Sequence, residues 1–210
     1  MSQRERGRQV TVVERMTTTG DPSSFERALV GYARHRESAK GFEALVTAAC
    51  PEHPGSYVHL DQWSTLDRLL QASHEAGHED GPSPVRHPGL GPGTTSTSEL
   101  MVTVGRMTVG GELSDAAHVV LVRAVLDGPP KQFELDFGAL VAQCVSDSGF
   151  GGSDLLRSAA DPRVYLGVLW WLDAEACARV RAGDGYRNRL AGLSAAAEVS
   201  EEPTRVLRVA

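Results

Sequence analysis

Segments rich in valine and leucine alternate along this chain with segments in which apolar residues recur every three or four positions. Residues 10–16 and 118–126 are rich in β-branched side chains and predict strands. A turn containing Gly and Pro follows each of them, and the next segment has the period of a helix that buries one face. The apolar positions of these two helices are Phe25, Ala28, Leu29, Tyr32 and Ala33 in the first half, and Phe133, Phe137, Leu140, Val141 and Cys144 in the second.

Three more strands and a second helix are predicted in each half. The strands are expected at 42–49, 56–63 and 99–109 in the first half, and at 150–157, 164–171 and 204–209 in the second. The second helix begins just after Trp63 or Trp171. The resulting order, β-α-β-β-α-β in each half, is that of the split ferredoxin-like motif. We therefore predict an α+β fold in which the antiparallel sheets of two tandem ferredoxin-like repeats pack into a dimeric-type α+β barrel.

The two halves also align with each other without a gap. An offset of 108 residues places residues 10–78 on residues 118–186, with 13 identities in 69 positions. An internal repeat of this length indicates a duplicated structural unit. We predict one repeat over 8–110 and a second over 115–210. Residues 77–98 are dominated by Gly, Pro, Ser and Thr, so we expect a mobile loop there, ahead of the last strand of the first repeat.

Composition and charge exclude several classes of protein. The chain is 41% hydrophobic and 23% charged, as globular domains are, and its formal charge is −6 with no basic stripe, which argues against binding nucleic acid. No apolar run approaches the roughly 20 residues of a membrane span. The three cysteines form no CxxC pair, so neither a disulfide framework nor a zinc knuckle is expected. The polar start of the chain has no apolar signal segment, and we expect a cytoplasmic protein.

The landmarks of each repeat carry a family resemblance. Gly41-Phe42 begins the second strand, and the pattern Y-x-x-x-x-Q-W-x-(S/T) covers residues 57–65. This set resembles the antibiotic biosynthesis monooxygenase family of dimeric α+β barrels. The resemblance implies that two copies, which pair as homodimers in single-copy members, pair here within one chain. Whether two such chains also associate into a homodimer stays open.

The resemblance also implies a function. Members of that family oxidise anthrone-type aromatic polyketides with O₂ and without metal or flavin, so we expect a small aromatic substrate, O₂ as co-substrate and no cofactor. Similar small barrels include polyketide cyclases. A cyclase and a non-catalytic barrel that binds a small molecule are therefore the alternatives, because one fold hosts several activities.

The candidate catalytic residues lie in the first repeat. Strand alternation places Tyr57, His59, Asp61 and Trp63 on one face of residues 56–63. The resemblance implies that Trp63 lines the pocket and that His59 replaces an Asn that holds the substrate oxygen. A histidine can act there as a base or as a hydrogen-bond donor to an oxyanion at neutral pH. His74, predicted on the apolar face of the following helix, is the second candidate.

The remaining candidates are aromatic residues that would bind a planar substrate. Tyr57, Tyr32 and Trp63 are expected to do so in the first repeat, and Trp171 and Tyr165 in the second. Six of the seven histidines lie in the first repeat, which favours that repeat as the seat of the polar chemistry. The rival interpretation, activity in the second repeat, stays open. The histidines have no metal-binding spacing, so no metal site is predicted.

Overall fold

The computed structural model describes residues 8–33, 38–78 and 93–208, and within these ranges it describes residues 30–33 and 76–78 for their backbone alone. The described residues form eight strands and five α-helices. The strands are β1 (Val10–Thr18), β2 (Phe42–Ala49), β3 (Ser56–Trp63), β4 (Thr94–Thr108), β5 (His118–Leu126), β6 (Phe150–Ser158), β7 (Val164–Trp171) and β8 (Ala197–Val206). The helices are α1 (Pro22–Ala33), α2 (Leu66–His78), α3 (Pro130–Val145), α4 (Ala174–Ala182) and α5 (Asp184–Leu193), with a short 3₁₀ helix at Leu113–Asp115.

The chain divides into two compact units. Unit 1 comprises the described residues up to Val102 together with Leu207 and Arg208, and unit 2 is Thr103–Val206. Hydrogen-bonded neighbours in unit 1 run in the order β4-β1-β3-β2, and those in unit 2 in the order β8-β5-β7-β6, all antiparallel. This is the strand order that a ferredoxin-like β-α-β-β-α-β chain produces. The prediction of an α+β fold built from two ferredoxin-like repeats is confirmed.

Matching tyrosines fasten the first helix of each repeat to its sheet. The Tyr57 hydroxyl donates a hydrogen bond to the Glu26 carboxylate at 3.2 Å, and the Tyr165 hydroxyl donates one to Glu134 at 2.9 Å. In both pairs the two partners are 31 residues apart in sequence, and the 108-residue offset relates one pair to the other. The duplication seen in the sequence is therefore also a duplication of side-chain contacts.

The last strand of each repeat differs from the prediction. β4 begins at Thr94 rather than at residue 99, because Thr94–Ser98 extend the backbone ladder with β1, with Thr94 opposite Thr18. β8 occupies Ala197–Val206 rather than 204–209. Residues 197–203 include three glutamates and Pro203, residue types that are depleted in strands. In both strands, backbone pairing outweighs the polar composition.

Two other regions also differ from the prediction. The second helix of the second repeat is two helices, because the chain is extended at Gly183 (φ −74°, ψ 142°) between α4 and α5. Of the loop predicted at 77–98, residues 79–92 lie outside the described residues. Residues 77 and 78 end α2, and residues 94–98 belong to β4.

Candidate active site

A group of buried polar side chains lies on the helix-facing side of the unit 1 sheet. The antiparallel register places Glu14 of β1 and Thr47 of β2 directly opposite His59 of β3, and Asp61 follows His59 on the same face. Glu14 and Thr47 are 5% exposed, His59 2% and Asp61 3%. We call these four residues the polar cluster. Buried ionisable groups are rare outside functional or paired settings, which makes this cluster the leading candidate site.

Aromatic residues border the polar cluster at both ends of β3. At one end, Tyr57 packs with Met16, Phe25 and Leu29, the last two on α1. This contact shows that the Tyr57 face of β3 lies beneath the helices. His59 and Asp61 continue that face, since alternate residues of a strand share a side.

Trp63 closes the other end of the same face. Its ring packs edge-on against Phe42 at 5.7 Å between centroids, and Leu69 of α2 belongs to the same group of buried side chains. Trp63 is 1% exposed, and its buried Nε1–H finds no acceptor among the described residues. A buried indole N–H usually has a partner, and the Nε1–H of the equivalent Trp171 also finds no acceptor among the described residues, so both repeats share this feature.

Unit 2 lacks the polar cluster. The 108-residue offset places Val122, Leu155, Gly167 and Leu169 at the positions of Glu14, Thr47, His59 and Asp61. Phe137 of α3 covers Gly167 so closely that a Cβ built there would lie 2.2 Å from Phe137 Cε2. Unit 2 therefore fills this region with an aromatic ring.

Comparison with known proteins bears on the fold. No protein-family model matches the sequence, and no curated protein matches it. A candidate monooxygenase of Fusobacterium nucleatum is similar over 96% of this chain and 94% of its own, with 11% identity and a TM-score of 0.76. An anthrone oxidase-like protein matches over 96% and 92%, with 16% identity and a TM-score of 0.63.

A third similar solved structure is described as related to a named family. A ferredoxin-fold protein of Listeria monocytogenes, related to antibiotic biosynthesis monooxygenases, aligns over the full length of both chains, with 10% identity and a TM-score of 0.54. The chain has the antibiotic biosynthesis monooxygenase-like fold. The resemblance inferred from the Tyr57–Thr65 motif is thus confirmed at the level of the fold.

The aromatic residues predicted in the second repeat of this monooxygenase-like fold are core residues. Trp171 and Tyr165 are fully buried, and Trp171 packs against Phe150 at 5.2 Å, as Trp63 packs against Phe42. Burial, followed by the hydrogen bond to Glu134, raises the pKa of Tyr165 above its ordinary value, so this hydroxyl stays protonated. Trp171 and Tyr165 both belong to the hydrophobic core of unit 2.

Of the two further predicted residues, the structure describes the side chain of His74 alone. His74 is exposed, so its predicted place on the apolar face of α2 is wrong. The reason is the orientation of α2: Leu69 is buried while Leu70 is 57% exposed, so the buried face does not continue through residue 74. The exposed His74 is therefore not a member of the proposed site. The side chain of Tyr32 lies outside the described residues.

Sequence reasoning missed Glu14 and Thr47 as site residues. The sequence does contain a signal for Glu14, because this charged residue interrupts the apolar strand VTVVERM on the face that also carries Val10 and Val12. The sequence contains no such signal for Thr47, because threonine is common in strands.

The described ranges 8–33, 38–78 and 93–208 contain no group of three or more His, Cys, Asp or Glu side chains placed to hold a metal ion. No helix within these ranges is long and apolar enough to span a bilayer.

Proposed function

We propose that the chain is a monooxygenase that works without metal or flavin, oxidises a planar phenolic or anthrone-type substrate with O₂, and carries its active site in unit 1. One observation carries this proposal: Glu14, His59 and Asp61 are buried together beneath the helices, between Tyr57 and Trp63. The fold shared with an anthrone oxidase-like protein supports the reaction class.

His59 is the proposed general base. An oxygenation without cofactor draws its electrons from the substrate, which must first become a carbanion. His59 takes one proton from the activated CH₂ of the anthrone, and the carbanion adds to O₂ to form a C–O bond and, after protonation, a hydroperoxide. The remaining C–H proton then leaves as the O–O bond breaks. The overall change is CH₂ + O₂ → C=O + H₂O.

The neighbours of His59 complete the proposed chemistry. The carboxylates of Glu14 and Asp61 stabilise the imidazolium that forms when His59 accepts the proton. The Thr47 hydroxyl and the Trp63 Nε1–H are donors for the negative charge that moves onto the substrate oxygen. The rings of Tyr57 and Trp63 provide the walls for a flat substrate.

Aromatic polyketides of antibiotic or pigment biosynthesis are the proposed substrate class. They are planar, carry phenols, and contain the activated CH₂ that the reaction consumes. The structural relative related to antibiotic biosynthesis monooxygenases supports this choice.

Oxygen uptake with anthrone tests the proposal. The purified chain, treated with chelator and free of flavin absorbance, is expected to consume one O₂ per anthrone and to form anthraquinone. With ¹⁸O₂, one labelled atom should appear in the new carbonyl. A protein-free sample at the same pH measures the spontaneous oxidation. Uptake no faster than in that sample would overturn the oxygenase proposal and favour a cyclase or a binding barrel.

A further inference from the structure

The segment that follows β8 contacts the sheet of unit 1 beside the polar cluster. The backbone N–H of Leu207 donates a hydrogen bond of 2.8 Å to the carbonyl oxygen of Thr47, and both residues belong to unit 1. Thr47 lies directly opposite His59, which in turn lies opposite Glu14. Leu207 therefore extends this row of polar-cluster residues across the sheet, beyond β2.

The side chain of Leu207 lies on the helix-facing side of this sheet. It is partly buried and packs against a group of buried side chains that includes Phe25 of α1 and Tyr57 of β3. Tyr57 and His59 share one face of β3, so Leu207 borders the space in which the polar cluster lies. No step of the proposed reaction assigns a role to Leu207.

The equivalent position of unit 2 lines a cavity. Thr94 and Ala197 are equivalent residues of β4 and β8, because each lies opposite the same position of the first strand of its repeat. Val104 and Leu207, each ten residues further along, are therefore equivalent too. Val104 belongs to unit 2, packs against its hydrophobic core and lines a cavity of about 260 Å³. A side chain at this position thus forms a wall of the space between helix and sheet.

We propose that Leu207 is a specificity-determining residue of the site in unit 1, an inference that rests on the proposed oxygenase function. Trp63 closes one end of the polar cluster, and Tyr57 together with Leu207 closes the other. The side chain at residue 207 therefore limits the length of the substrate that fits between these two ends. Replacing leucine by alanine removes three carbon atoms from the Tyr57 end of the site.

Oxygen uptake with anthrone and with its linear four-ring homologue, tetracen-5(12H)-one, tests this role of Leu207. Leu207→Ala should raise the ratio of kcat/KM for the four-ring over the three-ring substrate about tenfold, the usual scale of discrimination by an apolar wall, and Leu207→Phe should lower it. Leu70→Ala is the matched control, because Leu70 is a leucine of unit 1 that is 57% exposed. Its substrate ratio should equal that of wild type.

Modification of His59 by diethylpyrocarbonate tests the same wall without turnover. His59 is 2% exposed, and peptide mass spectrometry compares its modification rate with that of the exposed His53 in the same protein. Leu207→Ala should speed the modification of His59 several-fold relative to His53, and Leu70→Ala should not. If Leu207→Ala does not fold, Leu207→Val, which removes one carbon atom, should still shift the substrate ratio in the same direction.

The two measurements separate this inference from the proposed function. Oxygen uptake above background with the same substrate ratio and the same His59 modification rate in wild type and the Leu207 variants would overturn the role of Leu207 and leave the oxygenase proposal standing. Faster modification of His59 in Leu207→Ala, with no oxygen uptake above background in any variant, would overturn the oxygenase proposal and the specificity role with it, and leave Leu207 as a wall of the polar cluster.

Discussion

The ring of Phe137 occupies the space that any side chain at residue 167 would need, since a Cβ built on Gly167 would lie 2.2 Å from Phe137 Cε2. The equivalent residues of unit 1 are Leu29 and His59. At these two positions unit 1 thus has a leucine on the helix and a histidine on the strand, where unit 2 has a phenylalanine and a glycine. This exchange accompanies Val122, Leu155 and Leu169 in place of Glu14, Thr47 and Asp61, so unit 2 has no polar cluster at these positions.

Gly167→Ala should therefore destabilise the protein. The new methyl group must displace a buried ring, and overpacking of this kind costs about 1–3 kcal/mol. Urea unfolding followed by far-UV circular dichroism measures the change in the free energy of unfolding. Gly192→Ala is the control and should not lower stability, because its methyl meets no atom within 4 Å.

The same contact predicts coupling between the two residues. Phe137→Leu combined with Gly167→Ala should cost less than the sum of the two single changes, since the smaller side chain makes room for the methyl group. Strict additivity of the two costs, or an unchanged stability of Gly167→Ala alone, would contradict the close contact.

The fold was largely predictable from the sequence. β5, β3 and β7 were predicted at their observed bounds, because their valines and leucines meet the rules for buried strands. The duplication supported the predicted order of elements, because each uncertain element of one repeat has a counterpart in the other. Strand ends at Thr94 and Ala197 were not predictable, because backbone pairing there acts without apolar side chains.

The candidate site was predictable only in part. His59 and Trp63 followed from strand alternation and from the motif that contains them. Glu14 joins them through the pairing of β1 with β3, a register that one strand alone does not reveal. His74 was misplaced because the rotation of α2 on the sheet is decided by packing, which leaves Leu70 exposed.

A second prediction concerns Tyr186, buried in unit 2. Its hydroxyl donates a hydrogen bond to the Glu201 carboxylate at 2.7 Å, and Arg181 donates two more to the same carboxylate at 3.0 Å. Burial would raise the pKa of Glu201, but the hydrogen bonds from Arg181 and Tyr186 hold it below its ordinary value.

Tyr186→Phe should lower the free energy of unfolding by about 1.5–3 kcal/mol, the usual contribution of a hydrogen bond to a charged group. Tyr165→Phe is the comparison and should cost less, because its partner Glu134 is exposed. Thermal or urea unfolding at pH 7 measures both variants. A cost for Tyr186→Phe no greater than that for Tyr165→Phe would contradict the prediction.

A third prediction concerns pH and His118. Burial, its largest cause, holds the pKa of His118 below 6.5 in the folded chain. The unfolded chain therefore binds the proton more readily, and the contribution of neutral His118 to stability is present above pH 6.5 and declines as the pH falls below it.

Unfolding by urea at a series of pH values from 8 to 5 measures this effect. His118→Gln should show a weaker loss of stability than wild type below pH 6.5, and the two curves should run parallel above it. Parallel curves over the whole range would show that His118 has the same affinity for protons in both states.

The rate of O₂ consumption with anthrone in three histidine variants tests the central claim most directly, namely that the chemistry belongs to the polar cluster of unit 1. His59→Ala should reduce the rate above background by about 10²–10⁴-fold, the usual contribution of a general base. His53→Ala, which changes an exposed turn residue of unit 1, and His118→Gln, in unit 2, should stay within twofold of wild type. A His59→Ala protein that is folded and consumes O₂ at the wild-type rate would contradict the account.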